Sequence, residues 1–455
     1  MGTTAAVWLM KGRRSRLEEG HPWIYANEIA STEGEPEPGQ LVAAKDHRGM
    51  PLGTGYWNPA SQLTVRIVSY GELEAMDEAF FRKRFARALA HRDRFLGQGV
   101  SCRLVYGEAD FLPGLIVDRF GGALVVQVLT LGMEVAKEAW LPALVETFKP
   151  QGVYERSDVG VRTLEGLEER TGVLYGDCPR YIEIEENGLK LQVDIVGGQK
   201  TGYFFDQREN RASIAPLMLG WGARSGISLE ERDGARVPVN AKGNVVTFPY
   251  WDGATVLECF AHTGSFTLHA CKYGAKKVTC LDISEHALET ARHNVEINGF
   301  SERVEFVAAD AFEYLRQQVK GREERAARAS GGAKVDTSKP LTAEGRTWDV
   351  IILDPPAFAK TKRAVESARR GYKDINLQAM KLLNEGGYLV TASCSFHVRP
   401  DLFHETILEA AKDAGKIIRR IEWNGAGKDH PVLAGALEGL YLKFGIFEVR
   451  SRKEL

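Results

Sequence analysis

The sequence predicts an α/β protein: an open, doubly wound parallel sheet in the second half of the chain, preceded by a small β-barrel and a mixed α/β layer. Three observations carry this expectation. Strand-like and helix-like patterns alternate from Thr255 to Ser393, as they do when helices cross over between parallel strands. The segment from Lys11 to Ser69 consists of short apolar runs punctuated by Gly and Pro, the pattern of a compact barrel. Finally, 455 residues exceed what one hydrophobic core usually spans, so domains are expected at 1–70, 71–185 and 186–455.

The barrel rests on runs such as Gly39 to Ala44 and Leu63 to Val68. The central layer opens with a basic amphipathic helix from Met76 to Phe95, in which Phe80, Phe81, Phe85, Leu89 and Phe95 fall near helical spacing. Strands are expected at Cys102 to Tyr106, Gly114 to Asp118, Ala123 to Leu129 and Gly152 to Glu155, with a helix at Glu134 to Phe148. A hairpin from Tyr181 to Ile195 turns at Asn187-Gly188, which suits the positive φ angles of a type I′ connection. The parallel sheet then needs strands at Thr255 to Phe260, Lys277 to Asp282, Val304 to Ala308, Asp349 to Asp354 and Tyr388 to Ser393. Its helices are expected at Ser265 to Tyr273, Glu285 to Asn298, Ala311 to Val319 and Val365 to Leu383. Two polar, Gly-rich stretches, near 222–253 and 320–345, read as surface insertions.

Composition is that of an ordinary soluble globular protein, with 44% hydrophobic and 26% charged residues and a formal net charge of -2. No leader pattern or long apolar run stands out, so a cytoplasmic protein without membrane contact is expected. The six cysteines lack paired C-x-x-C spacing, which predicts reduced thiols and no metal site. Since the overall charge is near neutral, any nucleic-acid contact must come from local patches. One is Arg82, Lys83, Arg84, Arg87, Arg92 and Arg94, for which a solvated helix face is an equal reading. The other is Lys360, Lys362, Arg363, Arg369, Arg370 and Lys373, beside the expected site; Lys360, Arg370 and Lys373 are its expected substrate contacts.

In an open parallel sheet the ligand crevice lies at the carboxyl ends of the strands. Glu258, Asp282 and Asp310 end three successive expected strands there, an arrangement that suits a nucleoside. Asp282 can accept hydrogen bonds from ribose hydroxyls, and Asp310 can take an adenine amino group or simply cap a helix. The turn Phe260, Thr263, Gly264, Ser265, Phe266 allows close backbone approach at a helix N-terminus but lacks the glycine spacing of a pyrophosphate cradle. S-adenosylmethionine is the cofactor implied. Ile283, Asn298, Ala311 and Asp354 complete the expected pocket.

Two further strand ends carry chemistry. Ile351-Ile-Leu-Asp354-Pro-Pro-Ala-Phe-Ala-Lys360 and Val390-Thr-Ala-Ser-Cys394-Ser395 would bring a carboxyl and a thiol to one crevice. A pyrimidine C5 is too weak a nucleophile to accept a methyl group unaided. Thiolate addition at C6 gives C5 enamine character, and cysteine suits the task because its pKa of about 8.5 is readily lowered. Cys394 is the expected nucleophile and Asp354 the group that binds the N3 and 4-amino edge. Pro355 and Pro356 keep the loop extended, and Phe358 is expected to stack on an extruded base. For the C5 proton, Lys360, His397 and water all remain open as acceptors.

Arg13-Arg14, Gly20-His-Pro-Trp-Ile-Tyr25, Pro38-Gly39 and Gly53-x-Gly-Tyr56 resemble a PUA domain, a small RNA-binding barrel. The run Gly107 to Asp118 resembles the central domain of a bacterial RNA methyltransferase family. With Asp354 to Lys360, Gly371-Tyr-Lys-Asp-Ile-Asn376, Ser393-Cys-Ser395 and Gly198 to Asn210, the chain resembles the bacterial 23S ribosomal RNA cytosine-5 methyltransferases over nearly its whole length. The resemblance implies a PUA domain joined to a Rossmann-like class I methyltransferase domain, a ribosomal RNA substrate and frequent homodimers. It also implies that Gln199, Phe205, Asp206, Gln207 and Arg208 lie in a cofactor-proximal loop. Ala392 stands where many relatives carry a second cysteine, which disfavours a two-cysteine mechanism. The competing readings are an RNA base N-methyltransferase acting on guanine N7 or an amino group, which needs no thiol, and a noncatalytic RNA-binding assembly factor. The missing phosphate-binding glycines disfavour an oxidoreductase.

Overall fold

The computed structural model describes residues 5–218, 227–232, 235–246, 253–330 and 340–454. Parts of both expected insertions lie outside the described residues. The chain divides into two compact units: Met1–Glu186 with Gln192–Asp206 and Gly427–Gly439, and Asn187–Leu191 with Gln207–Ala426 and Leu440–Leu455.

In the first unit a six-stranded sheet has the order Trp23–Ile24, Val65–Ser69, Pro51–Trp57, Leu41–Lys45, Ala6–Leu9, Ile29–Glu33. Val7, Leu9, Val42, Ala44, Val65 and Ile67 form its core. A second, five-stranded sheet runs Arg170–Gly176, Gly152–Ser157, Ala123–Val128, Leu115–Phe120, Cys102–Tyr106. The helix Glu78–Leu96 starts where Asp77 accepts a hydrogen bond from the Phe80 N–H at 2.8 Å, an N-cap. Its buried stripe is Phe81, Phe85, Ala88 and Arg92, spaced at four, three and four residues. Arg92 therefore leaves the expected basic surface patch. Its guanidinium holds Asp110 at 2.5 and 2.7 Å and donates to the Asp429 carbonyl at 2.8 Å. Asp429 also accepts from the Arg103 N–H, the Arg103 guanidinium grips Asp118, and Asp118 accepts from the Thr201 hydroxyl. A buried polar chain thus joins four distant stretches of sequence.

The second unit is built on a seven-stranded sheet. Its strands are β1 (Thr255–Cys259), β2 (Lys277–Asp282), β3 (Val304–Ala308), β4 (Trp348–Leu353), β5 (Leu383–Ser393), β6 (Lys416–Asn424) and β7 (Lys443–Ser451). Helices α1 (Ser265–Lys272), α2 (Glu285–Ile297), α3 (Ala311–Ala329), α4 (Val365–Leu382) and α5 (Pro400–Asp413) accompany them. The order is β3-β2-β1-β4-β5-β7-β6, with the first five parallel and β7 antiparallel to both neighbours. This is the class I methyltransferase arrangement. Strand order reverses between β1 and β4, so the crevice of an open α/β sheet falls at their carboxyl ends. Every residue of β4 is buried, consistent with a strand covered on both faces.

Two expectations need correction here: β5 starts at Leu383 rather than Tyr388, and the helix after β3 is longer than expected. Helix α3 does not stop at Val319 but continues to Ala329, because the Arg-Glu-Glu-Arg-Ala-Ala-Arg-Ala run beyond Gly321 is rich in strong helix formers. Residues 340–346 fold back along it: the Thr342 N–H donates to Glu324 at 2.8 Å and the Arg346 N–H to Gln318 at 3.0 Å. The Tyr181–Glu186 and Leu189–Asp194 hairpin turns as expected, with Asn187 at φ 51° and Gly188 at φ 70°. Among the described residues no helix is long and apolar enough to cross a membrane.

Candidate active site

Parallel pairing aligns Cys259 with Leu353, and Leu353 with Thr391. Asp354 follows β4 directly and Cys394 follows β5, so both emerge at one edge of the sheet, where the buried apolar runs end. Both are half-buried. The Cys394 Sγ lies 3.7 Å from the Pro355 carbonyl, so the thiol meets the backbone of the Asp-Pro-Pro loop itself. The two loops are fastened together one residue further on. The Ser395 Oγ accepts from the Ala359 N–H at 3.1 Å and shares a hydrogen bond with the Tyr372 hydroxyl at 2.9 Å. On the other side, Asp354 accepts from the Gln207 side-chain amide at 2.9 Å. Asn210 holds that amide through its oxygen at 2.7 Å and also donates to the Gly425 carbonyl.

The turn after β1 is tightly coiled. Phe260 (φ 62°), His262 (φ 49°) and Gly264 (φ 74°) are all left-handed, a conformation costly for the two side-chain-bearing residues and characteristic of strained functional loops. Gly264 is constrained twice: besides its φ, a Cβ there would lie 3.1 Å from the Ala291 Cβ on α2. The Asp282 carboxylate secures the turn by accepting from the His262 N–H at 2.8 Å and the Ser284 N–H at 2.9 Å. Two of its roughly four acceptor positions are thereby used, and the remainder can take a diol.

Glu258 is buried beneath α1 and accepts from the Thr267 N–H at 2.7 Å and the Thr267 hydroxyl at 2.5 Å. Burial, reinforced by the Asp354 charge, pushes its carboxyl up to about 8. Asp310 caps α3 through the Glu313 N–H at 3.0 Å, the helix-cap role weighed for it. Ile283 is 71% exposed beside Asp282, an apolar surface at the crevice edge.

Other expected residues fall elsewhere. Asn298 follows the last turn of α2, roughly 20 Å from the strand end by helix rise, and clamps Lys190 with hydrogen bonds of 2.6 and 3.0 Å. It is a hairpin clamp rather than a pocket residue. Phe266 is buried and stacks on Phe444 at 6.2 Å, in the core. Phe358 already packs against Tyr372 at 4.6 Å and Phe312 at 5.7 Å, a cluster that leaves it poorly placed to stack on a base. The accessible aromatic is Phe396, 43% exposed and two residues beyond the thiol. Lys373 spends its charge on Asp413 at 2.8 Å, and Arg369 pairs with Glu409, so α4 and α5 take up two of the six cations of the expected basic patch; Lys360, Lys362, Arg363 and Arg370 stay exposed. Thr263, Ser265 and Ala311 flank the turn and the α3 start. Gln199, Phe205 and Asp206 belong to the first unit, where Phe205 is buried against Phe120 and Asp206 pairs with Lys200 at 3.1 Å. Gln207 and Arg208 belong to the second.

Sequence reasoning missed one buried cation. Lys443, the first residue of β7, is 1% exposed and donates to the Ser395 carbonyl at 2.6 Å and the Tyr441 carbonyl at 2.7 Å. Burial pushes its amine down to about 8, and the nearby Cys394 charge opposes that shift. Its signal in the sequence is a single lysine inside the apolar run from Leu440 to Val449. The other thiols near this sheet are silent: burial raises Cys259, Cys271 and Cys280.

Residues 7–70 match the PUA-like domain family, and residues 251–429 a methyltransferase domain family. The chain is 38% identical to ribosomal RNA large subunit methyltransferase I of Shewanella amazonensis, over 96% of this chain and 97% of that protein. It is 39% identical to the protein of the same name from Vibrio campbellii, over 97% and 98% of the two chains. Among solved structures, a methyltransferase complexed with SAH superposes with a TM-score of 0.72 at 19% identity, covering 97% of this chain and 99% of that one. A protein assigned as SAM-dependent methyltransferase in Streptococcus mutans superposes with a TM-score of 0.70 over the same shares. The last two likenesses bear on the fold alone. Near-complete coverage at this identity means that the chain belongs to the ribosomal RNA large subunit methyltransferase I family.

Proposed function

We propose that this protein transfers a methyl group from S-adenosylmethionine to C5 of a cytosine in large-subunit (23S) ribosomal RNA, through a covalent Cys394 adduct at C6. The observation that carries this reading is the junction of Cys394 with the Asp354-Pro-Pro loop. A thiol and a carboxyl emerge at one sheet edge, locked together through Ser395, Ala359 and Tyr372.

The cofactor fits the residues present. Asp282 has acceptor positions free for ribose hydroxyls, Ile283 offers an apolar face for the base, and the left-handed turn at Gly264 admits close backbone approach. Bound there, S-adenosylmethionine supplies an electrophilic methyl group. Cys394 adds its sulfur to C6, which gives C5 the electron density to form the new bond. Asp354, oriented by Gln207, holds the N3 edge while charge develops on the ring. Phe396 is the aromatic surface available to an extruded base, a contact that elsewhere contributes about 1–3 kcal/mol per base. Loss of the C5 proton then lets the C6–S bond break and releases the thiolate. The PUA-like barrel is the natural element to hold the RNA outside the reacting nucleotide.

The test is incubation with labelled S-adenosylmethionine and ribosomal RNA lacking the modification, followed by mass spectrometry of the labelled nucleoside. The expected product is 5-methylcytidine, with Cys394→Ala losing all transfer while still binding the cofactor. A labelled N-methyl purine, or full transfer by Cys394→Ala, would replace this reading with an amine-directed or N7-directed one.

A further inference from the structure

We infer that Lys443 is the proton partner of the Cys394 thiol, a positioning residue that keeps the sulfur ionised for attack and again as it leaves. This inference deepens the reading above and rests on Cys394 being the nucleophile. The geometry comes from the antiparallel pairing of β5 and β7. Lys443 stands directly across the ladder from Ser393, and its Nζ reaches forward to the Ser395 carbonyl at 2.6 Å. It thus brackets Cys394 by contacting the residue on either side of it. The amine is 1% exposed, so water cannot screen it, and its field and that of the Cys394 sulfur act on each other.

The donor count fits a proton exchange. A neutral amine has two N–H groups, and two carbonyls, Ser395 and Tyr441, stand ready to receive them. The lone pair is left for the sulfur's proton. When it is taken, the S–H bond breaks and a third N–H bond forms on Nζ, giving a thiolate beside an ammonium with no other atom changed. The proton stays on Lys443 while sulfur is bonded to C6, and the ammonium faces the thiolate again when that bond breaks. The C5 proton goes to a separate acceptor. Facing the same sulfur from α4 is the Tyr372 phenol, which burial holds neutral, whereas Lys443 is a cation whose charge the sulfur feels.

The experiment is the pH dependence of Cys394 alkylation by iodoacetamide in the full chain, read by mass spectrometry of the Cys394 peptide, without RNA or cofactor. The wild-type midpoint should lie at least one unit below the ordinary thiol value of about 8.5. Lys443→Gln should raise it by one unit or more, slowing alkylation at pH 7 by about tenfold, and Lys443→Arg should restore most of the shift. A wild-type midpoint at or above the ordinary value overturns the inference, whether or not the variants fold. So does an unchanged midpoint in a Lys443→Gln protein that still binds S-adenosylmethionine. Because no methyl transfer is involved, the two failures are distinguishable: an N-methylated product alongside a shifted midpoint would sink the cytosine-C5 reading and the attack step with it, leaving only the coupling of Lys443 to the Cys394 thiol, whereas 5-methylcytidine alongside an unshifted midpoint would sink this inference alone.

Discussion

Asp354 and Glu258 illustrate how one pocket holds two carboxyls in different surroundings. Asp354 is half-buried and accepts from Gln207, whereas Glu258 is buried and feels the Asp354 charge. Asp354→Asn keeps the shape but removes the charged group at the proposed ring edge. Methyl transfer should fall by about 10²–10⁴-fold, with cofactor affinity within a few-fold of wild type, measured by single-turnover assay and calorimetry. Glu258 makes a separate, pH-dependent contribution to stability. Its folded value of about 8 lies above the unfolded carboxyl value, so the folded protein holds a proton that the unfolded chain has released. The contribution is therefore complete below pH of about 4.5 and is lost as pH rises through about 8. Wild type should lose thermal stability relative to Glu258→Gln across that window, and the gap should stop changing above it; parallel melting curves over the window would contradict this. At this scale the sequence exposed the strand-end acids and the thiol, because each interrupts an apolar run. It concealed the partners: nothing local in the sequence says that Arg92 turns inward to Asp110, that Phe358 is consumed by Tyr372, or that Lys443 reaches back to Ser395.

Among the elements, the β1–α1 turn and the β5–β7 pair do most to shape the crevice. Gly264 combines a left-handed φ with a helix 3.1 Å from any added Cβ. Gly264→Ala should cost about 1–2 kcal/mol from backbone conformation alone, with further loss from contact with α2, and should weaken cofactor binding. Thermal melts with and without S-adenosylmethionine separate the two effects, and an unchanged affinity would mean that the turn does not touch the ligand. Four strands in the parallel part of the sheet were legible to within a residue, since buried runs between turn residues leave little freedom, whereas β5 starts five residues before the expected Tyr388 because its Asn384-Glu385-Gly386-Gly387 start reads as a turn. The antiparallel β6–β7 extension was not. Its outer strand is half-exposed and charged, and the residues joining it to β7 include a stretch that belongs to the first unit. Helix α3 was underestimated for the opposite reason, a polar composition that resembles a loop while its propensity favours a helix.

For the molecule as a whole, ribosomal RNA binding should be strongly salt-dependent despite the net charge of -2, because phosphate contacts act locally. Lys360→Glu with Arg370→Glu should weaken RNA binding and steepen its loss with salt less than wild type, leaving cofactor affinity unchanged; equal RNA affinity would remove those side chains from the interface. Lys373→Glu is the contrasting variant. It breaks the pairs with Asp413 and Glu409 and should cost a little stability, small for so exposed a pair, rather than RNA affinity.

The polar chain through Arg92, Asp110, Arg103, Asp118 and Thr201 closes on Asp429, which lies far downstream of them in the sequence. During synthesis, the buried Arg92 guanidinium and the Arg103 N–H must therefore wait for these acceptors until Asp429 has been made. A nascent chain halted before Gly427 should be cut readily by protease within the helix Glu78–Leu96, and one extended past Gly439 should resist, so completion of the first unit is timed by the Gly427–Gly439 segment.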